Sequence, residues 1–142
     1  MAALSAAFEA GYKPGNIVLC KIAASTTIYK GAIVAYDSDG FIVPIAHGTA
    51  SLKYAGVAEE TVDNEGADGD ASARVSKVGS FVFAGTAVQA DIGKEAYAVD
   101  DNTVQIGTGG LTNQYKVGTV LGVESTSNGD DGMRVRIENY TV

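Results

Sequence analysis

The chain has 142 residues, of which 46% are hydrophobic and 19% are charged. This length and composition fit one folded domain, and they exclude both an intrinsically disordered chain and a small scaffold that depends on disulfides or metals. The formal net charge is −7, and the basic residues are scattered, so nucleic-acid binding through phosphate contacts is not expected. No apolar run approaches the ~20 residues that a membrane-spanning helix needs.

The first residues are predicted to form a separate N-terminal arm over 1–15, ahead of a single β domain over 16–142. The segment AALSAAFEA contains good helix formers, and it ends before Gly11, so the arm is either a short helix or an unstructured segment. It lacks the basic start and the long apolar core of a signal peptide. Because Cys20 is the only cysteine, no internal disulfide can form, which fits synthesis in a reducing cytoplasm.

Glycine interrupts the remainder of the chain at short intervals, since 18 residues are glycine. Each one disfavours the interior of a helix by about 1 kcal/mol relative to alanine. The intervening segments are rich in β-branched residues, which favour strands. The sequence therefore predicts a mainly β protein, a single compact β-barrel or β-sandwich of short strands joined by tight Gly and Asp turns.

Two hairpins stand out within this pattern. Residues 32–36 and 41–45 flank Asp-Ser-Asp-Gly, and residues 96–99 and 103–106 flank Asp-Asp-Asn; both connections are rich in turn-forming residues. Further strands are predicted at 17–23, 54–58, 73–78, 80–84, 117–123 and 133–138. The loop ETVDNEGADGDAS over 60–72 is predicted to be a long exposed excursion.

Alternation along the strands predicts which side chains form the core. In MRVRIE, Met133, Val135 and Ile137 share one face, so Arg134 and Arg136 should face outward. In SFVFA, both faces are partly apolar, which predicts that this strand is central in its sheet or lies in an interface.

No pattern of residues indicates catalysis or a cofactor. His47 is the only histidine, so a zinc site with several imidazole and thiolate ligands is not expected. No serine-nucleophile, Walker or Rossmann motif occurs, and the acidic segment DNEGADGD departs from a calcium-binding loop. We therefore predict a chain that is not an enzyme and that has no metal site or cofactor.

The order of segments resembles the small capsid decoration proteins, also called cement or head-stabilising proteins, of tailed bacteriophages. The resemblance rests on five stretches: GNIVLCKIAASTTIYKGAIVAYDSDGFIVPI, YAGVAEETVDNEGADGDASARVSKVGSFVFA, IGKEAYAVDDNTVQI, KVGTVLGVE and MRVRIEN. Together they cover most of the chain. It is their succession that is similar to the family, since each motif alone is unspecific.

The resemblance implies a structural subunit that binds the major capsid protein on the outer surface of the expanded virion capsid. It also implies self-association, usually as homotrimers at three-fold and quasi-three-fold positions. The family has no catalytic residues to transfer, and neither nucleic acid nor membrane is an expected partner.

For the interface with the capsid or with other subunits, the sequence suggests Phe8 and Tyr12 in the arm and the pair Arg134 and Arg136. Aromatic residues in a weakly structured arm would gain order on docking, and the arginines could pair with acidic groups across a subunit boundary. Two alternatives remain open. One is a calcium-dependent adhesion or carbohydrate-binding β-sandwich, and the other is a different virion protein, such as a head fibre base or a tail tube subunit.

Overall fold

Twelve short strands form three antiparallel sheets in the computed structural model, which describes residues 3–7 and 9–138. The strands are β1 Ile17–Lys21, β2 Thr26–Ile28, β3 Ile33–Tyr36, β4 Ile42–Pro44, β5 Lys53–Ala58, β6 Val62–Asn64, β7 Ser72–Ser76, β8 Val78–Ala84, β9 Glu95–Ala98, β10 Val104–Ile106, β11 Lys116–Val123 and β12 Gly132–Glu138. Among the described residues, a single 3₁₀ turn at Gln89–Asp91 is the one helical element. The prediction of a mainly β protein is confirmed.

Sheet 1 has the strand order β1-β7-β5-β3-β4, sheet 2 has the order β10-β9-β11-β12-β8, and β2 pairs with β6 in a small third sheet. The arrangement is a β-sandwich and not a closed barrel, so of the two predicted architectures the sandwich is correct. No helix forms in residues 3–7 and 9–16. For the N-terminal arm we predicted either a short helix or an unstructured segment, and these residues do not form the helix.

Both predicted hairpins are confirmed. β3 pairs with β4, and β9 pairs with β10. The second hairpin also joins the two large sheets, because the carbonyls in its turn accept backbone hydrogen bonds from each of them. Asp101 accepts from Ile33 of sheet 1 at 2.7 Å, and Asn102 accepts from Ala84 of sheet 2 at 3.0 Å.

Two hydrophobic clusters lie on opposite faces of sheet 1, as strand alternation requires. Ile33 and Val57 pack against sheet 2, where they meet the predicted β12 core residues. Those residues, Met133, Val135 and Ile137, are almost completely buried. On the other face, Val34 and Ala55 pack beneath the small third sheet, with Ile22, Ile28 and Val75.

Two sequence predictions about the strands need correction. The segment SFVFA lies in β8, which is an edge strand of sheet 2 and not a central one, so of the two predicted placements the central one is wrong and the interface stays a prediction. The acidic segment 60–72 is not wholly an exposed excursion, since it contains β6 and the buried Asn64. The Nδ2 atom of Asn64 donates to the carbonyls of Ile22, Ala23 and Ala67 at 2.9–3.0 Å, which ties the loop to the end of β1.

Candidate functional site

Arg134 and Arg136 lie two residues apart on β12 and project from the outer face of sheet 2, as predicted. Register places them beside Val82 and Ser80 of β8, and Nε of Arg134 donates to Oγ of Ser80 at 2.8 Å. No ion pair joins either guanidinium to a residue whose side chain the structure describes, and Glu138 of the same strand is not among these. Exposed guanidinium groups are suited to binding carboxylates.

This arginine face is also partly apolar. Leu121 of β11 lines the same shallow groove as the two arginines, together with Val78, and Val82 is 38% exposed. Arginine is one of the residues that are enriched at protein interfaces. The chemistry of this face suits an acidic protein segment better than a small molecule, because the groove is shallow and open.

The predicted arm site is only partly covered by the structure. Tyr12 is 90% exposed, whereas Phe8 lies outside the described residues. No hydrogen bond or ion pair joins Tyr12 to Arg134 or Arg136 among the residues that the structure describes. The structure thus brings the two arginines together on one face, and it leaves Tyr12 on a separate, exposed segment.

The acidic turns use their carboxylates within the fold. Oδ1 of Asp37 accepts hydrogen bonds from the backbone N–H groups of Asp39 and Phe41 at 2.9 and 3.0 Å. Oδ1 of Asp100 accepts in the same way from the backbone N–H groups of Asn102 and Thr103, and Oδ1 of Asp68 accepts from the backbone of Ala24 at 2.7 Å. Asp37 and Asp100 thus stabilise their own turns, and Asp68 joins the acidic segment to the residues that follow β1.

His47 joins two loops. Its ring Nδ1 accepts a hydrogen bond from the backbone of Thr112 at 3.2 Å, and its carbonyl accepts from the side chain of Asn113 at 2.8 Å. These bonds tie the segment after β4 to the segment before β11. The imidazole therefore has one structural partner, the backbone N–H of Thr112, and the backbone carbonyl of His47 has the other, the side chain of Asn113.

A buried polar cluster, which the sequence analysis did not identify, lies where the chain crosses from β7 to β8. Lys77 is the single residue between these strands and is 4% exposed. Its Nζ donates to the phenolic oxygen of Tyr36 and to the carbonyl of Ala55, each at 2.7 Å. The sulfur of Cys20 lies 3.4 Å from the same phenolic oxygen. Cys20 is itself buried.

Burial determines the protonation behaviour of this cluster. It lowers the pKa of Lys77, because an ammonium loses its hydration and no carboxylate pairs with it among the described residues. The pKa of Tyr36 is raised by burial and by the hydrogen bond with Cys20. In the sequence, only the alternation of inward and outward side chains along the strand could have indicated that Lys77 is buried. Lys77 is not part of a recognisable motif.

No group of three or more His, Cys, Asp or Glu residues is placed to hold a metal ion within residues 3–7 and 9–138. Over the same residues, no helix is both long and apolar enough to cross a membrane. Comparisons with protein-family models, with curated proteins and with solved structures find no match to this chain.

Proposed function

We propose that this chain is a structural, non-enzymatic protein that binds the outer surface of an expanded bacteriophage capsid and stabilises it, with the major capsid protein as its partner. The observation that carries the proposal is the uneven distribution of exposed apolar side chains. Among the described residues, five of the eleven large exposed hydrophobic side chains lie within the first 19 positions: Leu4, Tyr12, Ile17, Val18 and Leu19. Such a concentration of exposed apolar side chains on one segment is suited to docking.

Attachment through the arm has a simple energetic basis. Every described residue from 3 to 19 is exposed, so this segment buries little surface in the isolated chain. Packing the Tyr12 ring against a partner would bury apolar area and order the segment at the same time. The apolar side chains of this segment are therefore buried on the capsid surface and not in the isolated chain.

Stabilisation of the capsid then follows from linkage. A protein that binds the expanded lattice and not the unexpanded one shifts the equilibrium towards the expanded form. At a concentration 100 times the dissociation constant, the shift is about 2.7 kcal/mol per site. Because many sites act together, the sum opposes the pressure of packaged DNA. In this proposal copies associate as homotrimers at three-fold and quasi-three-fold positions.

The arginine face supplies a second contact. Arg134 and Arg136 are exposed, whereas the chain as a whole carries a net charge of −7. A carboxylate on a neighbouring subunit would bind them in a bidentate manner. In this proposal the arginine contact fixes the orientation of the protein on the capsid. The arm supplies most of the apolar surface that becomes buried on binding.

The test is co-sedimentation of the purified protein with expanded and unexpanded capsids. We expect saturable binding to expanded capsids alone. Tyr12→Ala should weaken binding about tenfold, whereas Tyr29→Ala, which removes another exposed tyrosine, should bind like the wild type. Replacing both Arg134 and Arg136 with alanine should weaken binding and reduce its dependence on salt. Absence of binding to either capsid form by the folded protein would contradict the proposal.

A further inference from the structure

A groove of about 430 Å³ lies where the β9–β10 turn joins the two large sheets. Four separate segments line it: the β2–β3 connection, the end of β8, the β9–β10 turn and the β11–β12 turn. Its volume is in the range of small-molecule binding sites. Arg134 and Arg136 line a different groove, so this one is separate from the arginine face.

Backbone hydrogen bonds hold the walls of this groove. In the β2–β3 connection, the N–H of Lys30 donates to Oγ1 of Thr61 at 2.9 Å. In the β11–β12 turn, the N–H of Asp130 donates to Oγ1 of Thr126 at 3.1 Å. The β9–β10 turn is bound to both large sheets through two of its carbonyls. The walls are therefore fixed without a ligand, which lowers the entropic cost of binding one.

The residues that line the groove offer both donors and acceptors of hydrogen bonds. The ammonium of Lys30 only donates, the carboxylates of Asp101 and Asp130 only accept, and the amide of Asn128 does both. No ion pair joins these charged groups to a residue whose side chain the structure describes. Beside them lies Tyr29, which is 61% exposed. The groove thus combines an aromatic ring with polar groups of both kinds.

Asp101 lies in this groove at a cost in stability. Its side chain is half-buried, and burial, followed by repulsion from Asp100, raises its pKa. The charged form is therefore less favourable here than in the unfolded chain. Asparagine is also a good turn residue and carries no charge. A carboxylate that is retained at such a cost, in a groove, is typical of a functional site.

The combination of groups indicates the class of ligand. A hydroxyl group both donates and accepts, so a ligand rich in hydroxyls can bind carboxylates and an ammonium alike. The C–H faces of a sugar ring are apolar and can pack on the exposed ring of Tyr29. Asp101 and Asp130 repel phosphates and other anions, as does the net charge of −7. Lys30 in the same groove repels a simple cation.

We propose that this groove binds a neutral saccharide, with Tyr29 against the face of a sugar ring and with Asp101 and Asp130 accepting hydrogen bonds from its hydroxyls. The inference goes beyond the proposed function and does not depend on it, because none of these residues belongs to the arm or to the arginine pair. Saccharide binding is therefore measured on the free protein, without capsids.

The experiment is an NMR titration of the isotope-labelled full chain with neutral trisaccharides of glucose, of galactose and of N-acetylglucosamine. We expect saturable shifts of the amide signals of residues 29–32 and 126–130 with one or more of these sugars, at millimolar concentration. Tyr29→Ala should weaken binding about tenfold. The matched control is Tyr12→Ala, which removes an exposed tyrosine outside the groove and should bind the sugar like the wild type.

Asp101→Asn distinguishes a binding role from a purely structural one. The variant should be more stable than the wild type and yet bind the sugar about fivefold more weakly, because it loses a charged acceptor. Asp39→Asn makes the same change in an exposed turn outside the groove and should not alter binding. A metal chelator should also have no effect, because the proposed contacts use no metal.

Four results would each overturn the inference: no saturable shift of the folded wild type with any of the three sugars, normal binding by Tyr29→Ala, normal binding by Asp101→Asn, or loss of binding on addition of a chelator. Capsid co-sedimentation is a separate measurement. Tyr29→Ala should retain capsid binding and lose sugar binding, and Tyr12→Ala should do the reverse, so failure of one proposal is distinguishable from failure of the other.

Discussion

Lys77 places its ammonium 2.7 Å from the phenolic oxygen of Tyr36 and 4.6 Å from the centre of the Tyr36 ring. The contact joins the crossing between β7 and β8 to β3, at the boundary between the two large sheets. Because no carboxylate neutralises the charge among the described residues, the phenol and the carbonyl of Ala55 provide all its hydrogen-bonded partners there. The Lys77 ammonium is therefore held by two hydrogen bonds, although its removal from water costs free energy of desolvation.

Replacing Lys77 with methionine should remove a pH dependence of stability. The folded protein has a lowered pKa at Lys77, so between that pKa and the usual value near 10.4 the unfolded state binds more protons. The free energy of unfolding of the wild type should therefore rise with pH in that window relative to Lys77→Met. Urea unfolding at several pH values measures this difference.

The control for this prediction is Lys53→Met at an exposed position of β5, which should leave the pH profile unchanged. Above a pH of about 10 the stability of both proteins should fall, because both contain Tyr36. The pKa of Tyr36 is raised in the folded state, so the unfolded chain loses that proton first and stability falls. A Lys77→Met profile parallel to that of the wild type would contradict the assignment.

Asn64→Asp should destabilise the protein strongly, because a carboxylate cannot donate to the three carbonyl oxygens that the Nδ2 atom of Asn64 contacts. We expect a loss of about 3 kcal/mol, which for this length lowers the melting temperature by about 10 °C. Thermal unfolding followed by circular dichroism measures it. Asn128→Asp, the same change in an exposed turn, should have little effect, and equal losses for the two variants would exclude a special role for Asn64.

Gly56→Ala should also be costly. Gly56 has a φ of +145°, and an added Cβ would overlap the carbonyl oxygen of Ser76 on the neighbouring strand. Strain and overlap together should cost about 3 kcal/mol or more, seen as a lower midpoint in urea. Gly48→Ala adds the same methyl group in open space and should be nearly neutral. A stable Gly56→Ala protein would show that β5 and β7 can separate without cost.

Asp101→Asn should stabilise the protein at neutral pH. Burial, followed by repulsion from Asp100, raises the pKa of Asp101, so the folded state holds its proton to higher pH than the unfolded state. Stability is therefore lost as pH rises through the window between the two pKa values. The side-chain amide of the Asp101→Asn variant does not titrate, so the variant lacks this loss of stability. The stabilities of the wild type and the variant should converge at low pH. Melting temperatures measured from acid to neutral pH should show the wild type falling below the variant, and a constant difference would contradict the prediction.

Local patterns were sufficient to predict much of the fold. Alternation in MRVRIE predicted the buried and outward faces of β12, and Asp-rich turns predicted both hairpins. The three-residue strands β2 and β6 were missed, because they pair across more than 30 intervening residues. The apolar character of both faces of β8 predicted a strand that is central or lies in an interface, and the structure places β8 at an edge of its sheet.

The sequence by itself determined the β class, the acidic surface, the outward placement of Arg134 and Arg136, and the exposed character of the arm, since these follow from composition and from the two-residue repeat of strands. Only the tertiary structure decided that Lys77 is buried beside Tyr36, that Asn64 binds the end of β1, and that Tyr29 and Asp101 line one groove. The physical reason is that burial depends on which strands become neighbours, and long-range pairing is not encoded in any short segment.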